Sequence, residues 1–190
     1  MRILGIVGSP RKNGNTEILM DEALKVARDA GCETETFLMS EKQVAPCVAC
    51  YSCFKVCSCV VQDDMQELYA MMERADGIIF GSPVYFGSIT AQAKAVMDRM
   101  FALLRQRSLK DKVAAALVVT RRVGAIQARS LLYGFCIAQG MIVSGGAIGY
   151  GREAGDVLTG VGCGIDMTAM EETRVMASNL VRLAKKLGRE

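Results

Sequence analysis

The fold is decided by the stretch Met1-Arg2-Ile3-Leu4-Gly5-Ile6-Val7 and the loop that follows it, Gly8-Ser9-Pro10-Arg11-Lys12-Asn13-Gly14-Asn15-Thr16. The first part is a short apolar run typical of a buried strand, and the second holds turn formers, cations and short polar side chains. A helical pattern of apolar residues begins directly afterwards. A strand, a glycine-bearing loop and a helix in this order form an anion site, because the first helical N–H groups lack intrahelical partners and the helix dipole is positive there.

This loop lacks the patterns of the two common nucleotide-binding loops. Gly8 and Gly14 are one residue too far apart for the ATP-binding loop, and Asn15 stands where that loop needs a lysine. The glycine pattern of dinucleotide-binding folds is also absent. The side chains instead suit a single terminal phosphomonoester such as that of FMN, although an ordinary strand-to-helix turn without a ligand is the alternative. The expected FMN ligands in this loop are Ser9, Arg11, Asn13, Gly14, Asn15 and Thr16.

The composition limits the class of protein. The chain has 190 residues, of which 51% are hydrophobic, enough for one domain with a substantial core. The net charge of +3 is too small to indicate nucleic acid or a membrane surface as a partner. No apolar run reaches transmembrane length and no signal peptide pattern is present, so a cytoplasmic protein is expected. The absence of histidine excludes Ser-His and Cys-His catalytic pairs and favours electron or hydride transfer on a cofactor.

Strand and helix patterns alternate along the rest of the chain. Apolar or alternating runs predict four further strands, at 32–39, 77–81, 113–119 and 141–148. Ser88 is the expected N-cap of the helix after the third strand, and Thr168 with Glu171 predicts a capping box for the last helix. Apolar strands that alternate with helices predict a flavodoxin-like, doubly wound α/β fold. In it a five-stranded parallel sheet lies between two helical layers, in a single domain over residues 1–190.

Three loops should meet at the carboxyl ends of these strands, where such folds bind ligands. They cover residues 8–16, 82–87 and 120–127. Tyr85 or Phe86 offers a flat apolar wall for an isoalloxazine ring, and packing of both aromatics beneath the loop is the alternative. The further expected FMN contacts are Ser82, Pro83, Val84, Tyr85, Phe86, Gly87, Thr120 and Arg121.

Five of the eight cysteines lie between positions 47 and 59, in a segment of about residues 44–62 that has no clear period. In an intracellular chain such a cluster indicates metal binding or redox chemistry rather than structural disulfides. Cys47, Cys50 and Cys53 are spaced so that three thiolates from one tight turn bind one face of an iron-sulfur cluster, with Cys57 or Cys59 as the fourth ligand. Zinc is the weaker alternative, because structural zinc sites usually use two separated cysteine pairs, and thiols without metal are a third.

The three remaining cysteines have no partners nearby in the sequence and are predicted core residues. They are Cys32, Cys136 and Cys163.

The flavin loops and the cysteine segment together resemble a known family. The loops 8–16 and 81–87 are similar to the FMN motifs of NADPH-dependent FMN reductase-like proteins, and the resemblance extends over residues 1 to about 145. The run Pro46-Cys47-Val48-Ala49-Cys50-Tyr51-Ser52-Cys53, followed by Cys59, resembles the iron-sulfur flavoprotein branch. Its compact C-x2-C-x2-C-x(4–7)-C motif binds a [4Fe-4S] cluster next to FMN. The resemblance implies the cluster ligands Cys47, Cys50, Cys53 and Cys59, with Cys57 as an extra thiol.

The resemblance also implies partners and a function. Members of this branch form homo-oligomers, so a homodimer or homotetramer is expected, and they exchange electrons with partners such as ferredoxin. The first function is therefore electron transfer from a reduced donor such as ferredoxin, via cluster and FMN, to an acceptor. The alternatives are an NAD(P)H-dependent FMN or quinone reductase without a cluster, and a non-catalytic thiol or flavin redox sensor. The glycine-rich segment 145–164 matches little in the family and is either a cover on the site or an oligomer contact.

Overall fold

The computed structural model describes residues 1–160 and 167–188. The strands in these ranges are β1 (Arg2–Val7), β2 (Glu33–Leu38), β3 (Gly77–Pro83), β4 (Val113–Thr120) and β5 (Ile142–Tyr150). They form one parallel sheet in the order β2-β1-β3-β4-β5, which confirms the predicted flavodoxin-like fold. The chain moves from β1 to one edge of the sheet and then returns to the other side of β1, so the strand order reverses between β1 and β3.

The inner strands are the most apolar because helices cover both faces of the sheet. Every residue of β4 is buried, and β1 is buried from Ile3 to Val7. The two edge strands, β2 and the first half of β5, remain partly exposed. Parallel strands covered on both faces appear in a sequence as continuous apolar runs, which is why the pattern located them.

Two helical layers enclose the sheet. The helices are α1 (Asn15–Asp29), α2 (Ser52–Val56), α3 (Met65–Arg74), α4 (Ala91–Arg99), α5 (Phe101–Leu104), α6 (Ala125–Ala138) and α7 (Ala169–Leu187). The apolar faces of α1 and α7 share one core with the sheet, and those of α3, α4, α5 and α6 share the other. The short helix α2 lies within the cysteine segment, which is inserted between β2 and α3.

The predicted N-cap of the helix after β3 was wrong. The helix begins at Ala91 with Thr90 as its N-cap, and the Thr90 hydroxyl accepts a hydrogen bond from the Ala93 N–H at 3.1 Å. Ser88 instead closes the preceding loop through two backbone hydrogen bonds with Tyr85. By contrast, the capping box of Thr168 and Glu171 at the start of α7 is confirmed.

Two of the three cysteines predicted for the core lie in the described part of the chain. Cys32 and Cys136 are buried free thiols, as expected. Cys163 lies outside the described residues, as do residues 161–164 of the glycine-rich segment. Within the described ranges, no helix combines the length and the apolar character needed to cross a membrane.

Candidate functional site

The carboxyl ends of β1, β3 and β4 open into a cavity of about 410 Å³. This volume lies in the range of sites that bind small molecules. All three predicted loops contribute to its wall. The predicted FMN residues found there are Ser9, Arg11, Gly14, Asn15, Thr16, Pro83, Val84, Tyr85, Thr120 and Arg121.

The helix that starts at this cavity is suited to an anion. Helix α1 has Gly14 as its N-cap, and this residue provides no side-chain cap for the first turn. The Ser9 hydroxyl accepts a hydrogen bond from the Arg11 N–H at 3.2 Å and so fixes the turn that leads to the helix. An uncapped helix N-terminus at a cavity wall favours a negatively charged group, because its N–H groups and dipole both attract one.

Four cations line the same cavity: Arg11, Lys12, Arg121 and Arg152. Lys12 and Arg152 form ion pairs with Glu41 at 2.9 Å and Glu153 at 3.1 Å. In residues 1–160 and 167–188, Arg11 and Arg121 form no ion pair, so their charges remain available to an anionic ligand. The site therefore has the electrostatic character that a phosphomonoester requires.

The segment after β5 also lines this cavity. A cover on the site was one of the two interpretations of residues 145–164, although none of these residues was predicted as a ligand. Gly151, Arg152, Glu153 and Ala154 line the cavity. The Asn15 side chain holds them there, because its Nδ2 donates to the Glu153 carbonyl at 2.7 Å and its Oδ1 accepts from the Gly155 N–H at 2.8 Å. The rule that placed three loops at the carboxyl edge of the sheet applies equally to the loop after the fifth strand, and was the available signal.

Some predicted FMN residues lie outside the cavity wall. Phe86 is fully exposed at the tip of its loop, with a φ of 48°, and Gly87 follows it with a φ of 80°. Asn13 is exposed, and its backbone N–H donates to the Glu17 carboxylate at 2.7 Å. Of the two aromatics only Tyr85 lines the cavity. The part of Asn13, Phe86 and Gly87 in FMN binding stays a prediction.

Ser82 supports the cavity from beneath and does not line it. Its buried hydroxyl accepts a hydrogen bond from the Thr90 N–H at 3.1 Å. The Thr90 hydroxyl in turn donates to the Gly8 carbonyl. This buried chain of hydrogen bonds joins the start of α4 to the loop after β1, so it fixes the spacing of the loops after β1 and β3.

The cysteine segment packs against α4 and α5 and encloses a second, smaller cavity of about 40 Å³, here called the cysteine cavity. Its wall contains the four predicted ligands Cys47, Cys50, Cys53 and Cys59. The rest of the wall is mostly apolar and includes Val48, Tyr51, Val60, Val61, Phe101 and Ala102. Cys57 does not line this cavity, and its carbonyl accepts a hydrogen bond from the Gln106 side chain.

The backbone between the cysteines is unusual. Ala49 and Tyr51 have φ values of 50° and 58°, in the left-handed region that residues other than glycine seldom adopt. They flank Cys50, so the chain reverses direction on either side of this thiol. Such conformations persist only where the surroundings hold them, and they are concentrated at ligand-binding sites.

The four thiols lie close enough to influence one another. Burial raises the pKa of Cys53, and the neighbouring Cys59, Cys50 and Cys47 add to the shift. A hydrogen bond from the Ser52 hydroxyl lowers the pKa of Cys50. Among the described residues, no three His, Cys, Asp or Glu side chains converge as ligands of a single metal ion. Four thiols around one shared space are the donor set of a [4Fe-4S] cluster, in which each thiolate binds a different iron, so the residues fit that group.

A buried ion pair between Arg99 and Asp63 joins the two ends of the cysteine segment. The Arg99 guanidinium, 1% exposed, binds both carboxylate oxygens of Asp63, at 2.6 and 3.0 Å. It also donates to the carbonyls of Ala45 and Val61, both at 3.1 Å. One side chain therefore holds the chain just before the first cysteine of the cluster motif and just after the last.

The same ion pair sets the ionisation of Asp63. Burial alone would raise the pKa of this carboxyl, but the hydrogen bonds from Arg99 and from the Ala45 N–H outweigh it and hold the pKa below its usual range. Its partner Arg99 is the last residue of α4, far from Asp63 in the sequence.

A sequence profile of NADPH-dependent FMN reductases matches residues 1–155 of the chain. The chain belongs to that family. An iron-sulfur flavoprotein of Methanosarcina thermophila is 40% identical over 98% of this chain and 93% of its own length. Another, from Methanocaldococcus jannaschii, is 35% identical over 97% of this chain and 98% of its own length. These relatives confirm the resemblance to the iron-sulfur flavoprotein branch.

Solved structures confirm the fold of the family independently. RosB with bound 8-demethyl-8-formylriboflavin-5'-phosphate superposes with a TM-score of 0.76 at 19% identity. The match covers 98% of this chain and 80% of that one. Family membership and fold together identify the chain as an FMN-dependent oxidoreductase with a flavoprotein redox role.

Proposed function

We propose that this chain is an electron-transfer flavoprotein that carries FMN in the larger cavity and a [4Fe-4S] cluster in the cysteine cavity. The observation that carries the proposal is that the four cysteines of the compact motif line one common cavity in a chain whose relatives are iron-sulfur flavoproteins. Bound there, the two groups would carry electrons between a reduced donor, such as ferredoxin, and an acceptor.

The FMN phosphate is assigned to the loop after β1. Arg11, Thr16 and the uncapped start of α1 offer a cation, a hydroxyl and backbone N–H groups at one end of the cavity. Tyr85 and Val84 provide an apolar surface for the flavin ring, and Arg121 provides positive charge beside it. Positive charge near the ring favours the reduced, anionic flavin, which stabilises the electron-loaded state of the protein.

The cluster is assigned to Cys47, Cys50, Cys53 and Cys59. Cys59 is preferred to Cys57 because it lines the same cavity as the other three thiols, whereas Cys57 does not line it. Cys47 and Cys50 are exposed and Cys53 and Cys59 are partly buried, so the site lies near the surface, where solvent exposure helps to set the potential of a cluster. A homodimer or homotetramer is proposed as the working form.

A reductase that takes hydride from NAD(P)H is the second candidate, because the family whose profile matches is described as NADPH-dependent. In that case FMN would bind in the same cavity and the cysteines would have a structural role only. The two candidates differ in their metal content and in the electron donor that supports turnover.

The deciding experiment measures iron, acid-labile sulfide and FMN in protein purified without oxygen. We expect about four iron and four sulfide per FMN. FMN without iron, even after anaerobic reconstitution, would refute the cluster and favour the NAD(P)H-dependent reductase. Rates of FMN reduction by reduced ferredoxin and by NADPH then identify the donor.

The matched variants Cys57→Ser and Cys59→Ser test the ligand assignment. Each removes one thiol from the same short segment. We expect Cys59→Ser to lose most of the iron while it retains FMN, and Cys57→Ser to keep both. Loss of iron in Cys57→Ser alone would make Cys57 the fourth ligand.

A further inference from the structure

The Arg99 guanidinium contains one N–H group that its known partners leave unused. Its two terminal nitrogens bind Asp63 and the carbonyls of Ala45 and Val61. Its Nε is fully buried and, among the described residues, has no hydrogen-bond partner. An unsatisfied buried N–H group is destabilising, so native proteins seldom retain one without a reason.

The position of Arg99 indicates what this N–H group meets. Arg99 belongs to the wall of the cysteine cavity, beside Cys47, Cys50, Cys53 and Cys59. Tyr69, whose hydroxyl donates to the Arg99 carbonyl at 2.7 Å, and Cys59 also lie near this guanidinium. The side chain is 1% exposed, and Asp63 with two carbonyls fixes it in place, so it cannot turn toward water to satisfy Nε.

We propose that, when a cluster is bound in the cysteine cavity, the Nε–H group of Arg99 donates a hydrogen bond to a cluster sulfide and thereby raises the reduction potential of the cluster. Hydrogen bonds to the sulfurs stabilise the more negative, reduced state of an iron-sulfur cluster. The inference rests on the proposed function, because it concerns the same cluster. Arg99 would thus have two roles. It joins the two ends of the cysteine segment, and it raises the reduction potential of the cluster bound there.

The variant Arg99→Lys retains the positive charge and removes the Nε–H group. We expect its cluster to be harder to reduce, with the ratio of reduced to oxidised cluster about tenfold lower at a given potential, a shift of about 59 mV to more negative values. The measurement is a redox titration followed by the electron paramagnetic resonance signal of the reduced cluster. Iron and FMN content confirm that the variant is loaded.

Arg105→Lys is the matched control. Arg105 also holds the cysteine segment, since its Nη1 donates to the Phe54 carbonyl at 2.8 Å, but it does not line the cysteine cavity. Its replacement should leave the potential unchanged. An equal shift in both variants, or no shift in Arg99→Lys, would overturn the inference.

A second measurement uses the unaltered protein, so it decides the matter even if Arg99→Lys fails to fold. Protein labelled with ¹⁵N-arginine is reduced and examined by pulsed electron paramagnetic resonance. A weak ¹⁵N coupling to the cluster is expected, and its absence would refute the hydrogen bond. If unaltered protein contains no iron, the proposed function fails together with the inference. If iron is present and the coupling is absent, only the inference fails.

Discussion

The chain contains two cavities that depend on different kinds of support: the cysteine cavity and the larger cavity proposed to hold FMN, called the FMN cavity below. The loops of the FMN cavity follow β1, β3, β4 and β5, so the backbone hydrogen bonds of the sheet fix both their starting points and their spacing. The cysteine segment contains no strand, and side chains from α4 and the residues after it hold it in place. Those side chains are Arg99, Arg105 and Gln106.

This difference determines how strongly single substitutions should affect each of the two regions. A sheet distributes the support of a loop over many equivalent backbone hydrogen bonds, so single substitutions at the FMN cavity should have moderate effects. The cysteine segment depends on a few side chains, and among them the buried ion pair of Arg99 and Asp63 holds both of its ends. Loss of either leaves a charge buried without its partner, which is among the most destabilising changes in a folded protein.

The largest effect is expected for Asp63→Asn, which leaves Arg99 buried without its counter-charge. Removal of one partner of a buried ion pair typically costs about 3–5 kcal/mol of the free energy of unfolding. Urea denaturation of the two proteins measures the difference. Asp29→Asn is the control, because it breaks the exposed pair between Lys25 and Asp29 and should cost only about 0.3–0.5 kcal/mol. Equal losses in the two variants would contradict the contrast between the two regions.

The next effect concerns the support beneath the FMN loops. Thr90→Ala removes the N-cap of α4 and the hydrogen bond to the Gly8 carbonyl, and should lower the free energy of unfolding by about 1–2 kcal/mol. Ser88→Ala should change it by less than about 0.5 kcal/mol, since Ser88 bonds through its backbone. Urea denaturation tests both. A larger loss of the free energy of unfolding for Ser88→Ala than for Thr90→Ala would show that Ser88, and not Thr90, is the more important residue at the start of α4.

A smaller effect is expected for ligand binding at the FMN cavity. Arg11→Gln removes an unpaired cation from the proposed phosphate site, so the Kd for FMN should rise about tenfold, equivalent to about 1.4 kcal/mol. Flavin fluorescence during titration of the apoprotein measures it. Lys25→Gln removes the same charge far from the cavity and should leave the Kd unchanged. Equal Kd values for the two variants would show that Arg11 does not bind the FMN phosphate.

The smallest effect is a difference in acid sensitivity. The pKa of Asp63 is lower in the folded protein than its ordinary value near 3.9, so its ionised form contributes stability above about pH 4. That contribution is lost as the pH falls through the folded pKa. Between about pH 5 and 3 the free energy of unfolding of Asp63→Asn should therefore fall less steeply, by at most about 1.4 kcal/mol per pH unit. Parallel curves from urea denaturation would show that Asp63 is not responsible.

The sheet and the position of its binding edge were predictable because their signals are local. Each central strand is a continuous apolar run, and each loop follows its strand directly in the sequence. The cysteine spacing is also a local signal for Cys47, Cys50 and Cys53, and these three share a cavity with Cys59, the fourth ligand that the family resemblance implied.

The remaining features depend on contacts between distant parts of the chain. Ser88 and Thr90 are both good N-cap residues by type, and the choice of Thr90 follows from its bonds to Gly8 and Ser82 in other loops. The pairing of Arg99 with Asp63 has no pattern in the sequence, because a single cation at the end of α4 and a single carboxylate before α3 carry no period.

Arg99 donates hydrogen bonds to the carbonyls of both Ala45 and Val61. The residues between them therefore form a loop whose two ends are joined through one side chain. The entropy of closing a flexible loop rises slowly with its length, by about 0.6 kcal/mol for each doubling. A few residues added between Cys53 and Cys59 should thus cost only a few tenths of a kcal/mol while these hydrogen bonds stay intact. The length of the cysteine segment can therefore vary without any change in the sheet.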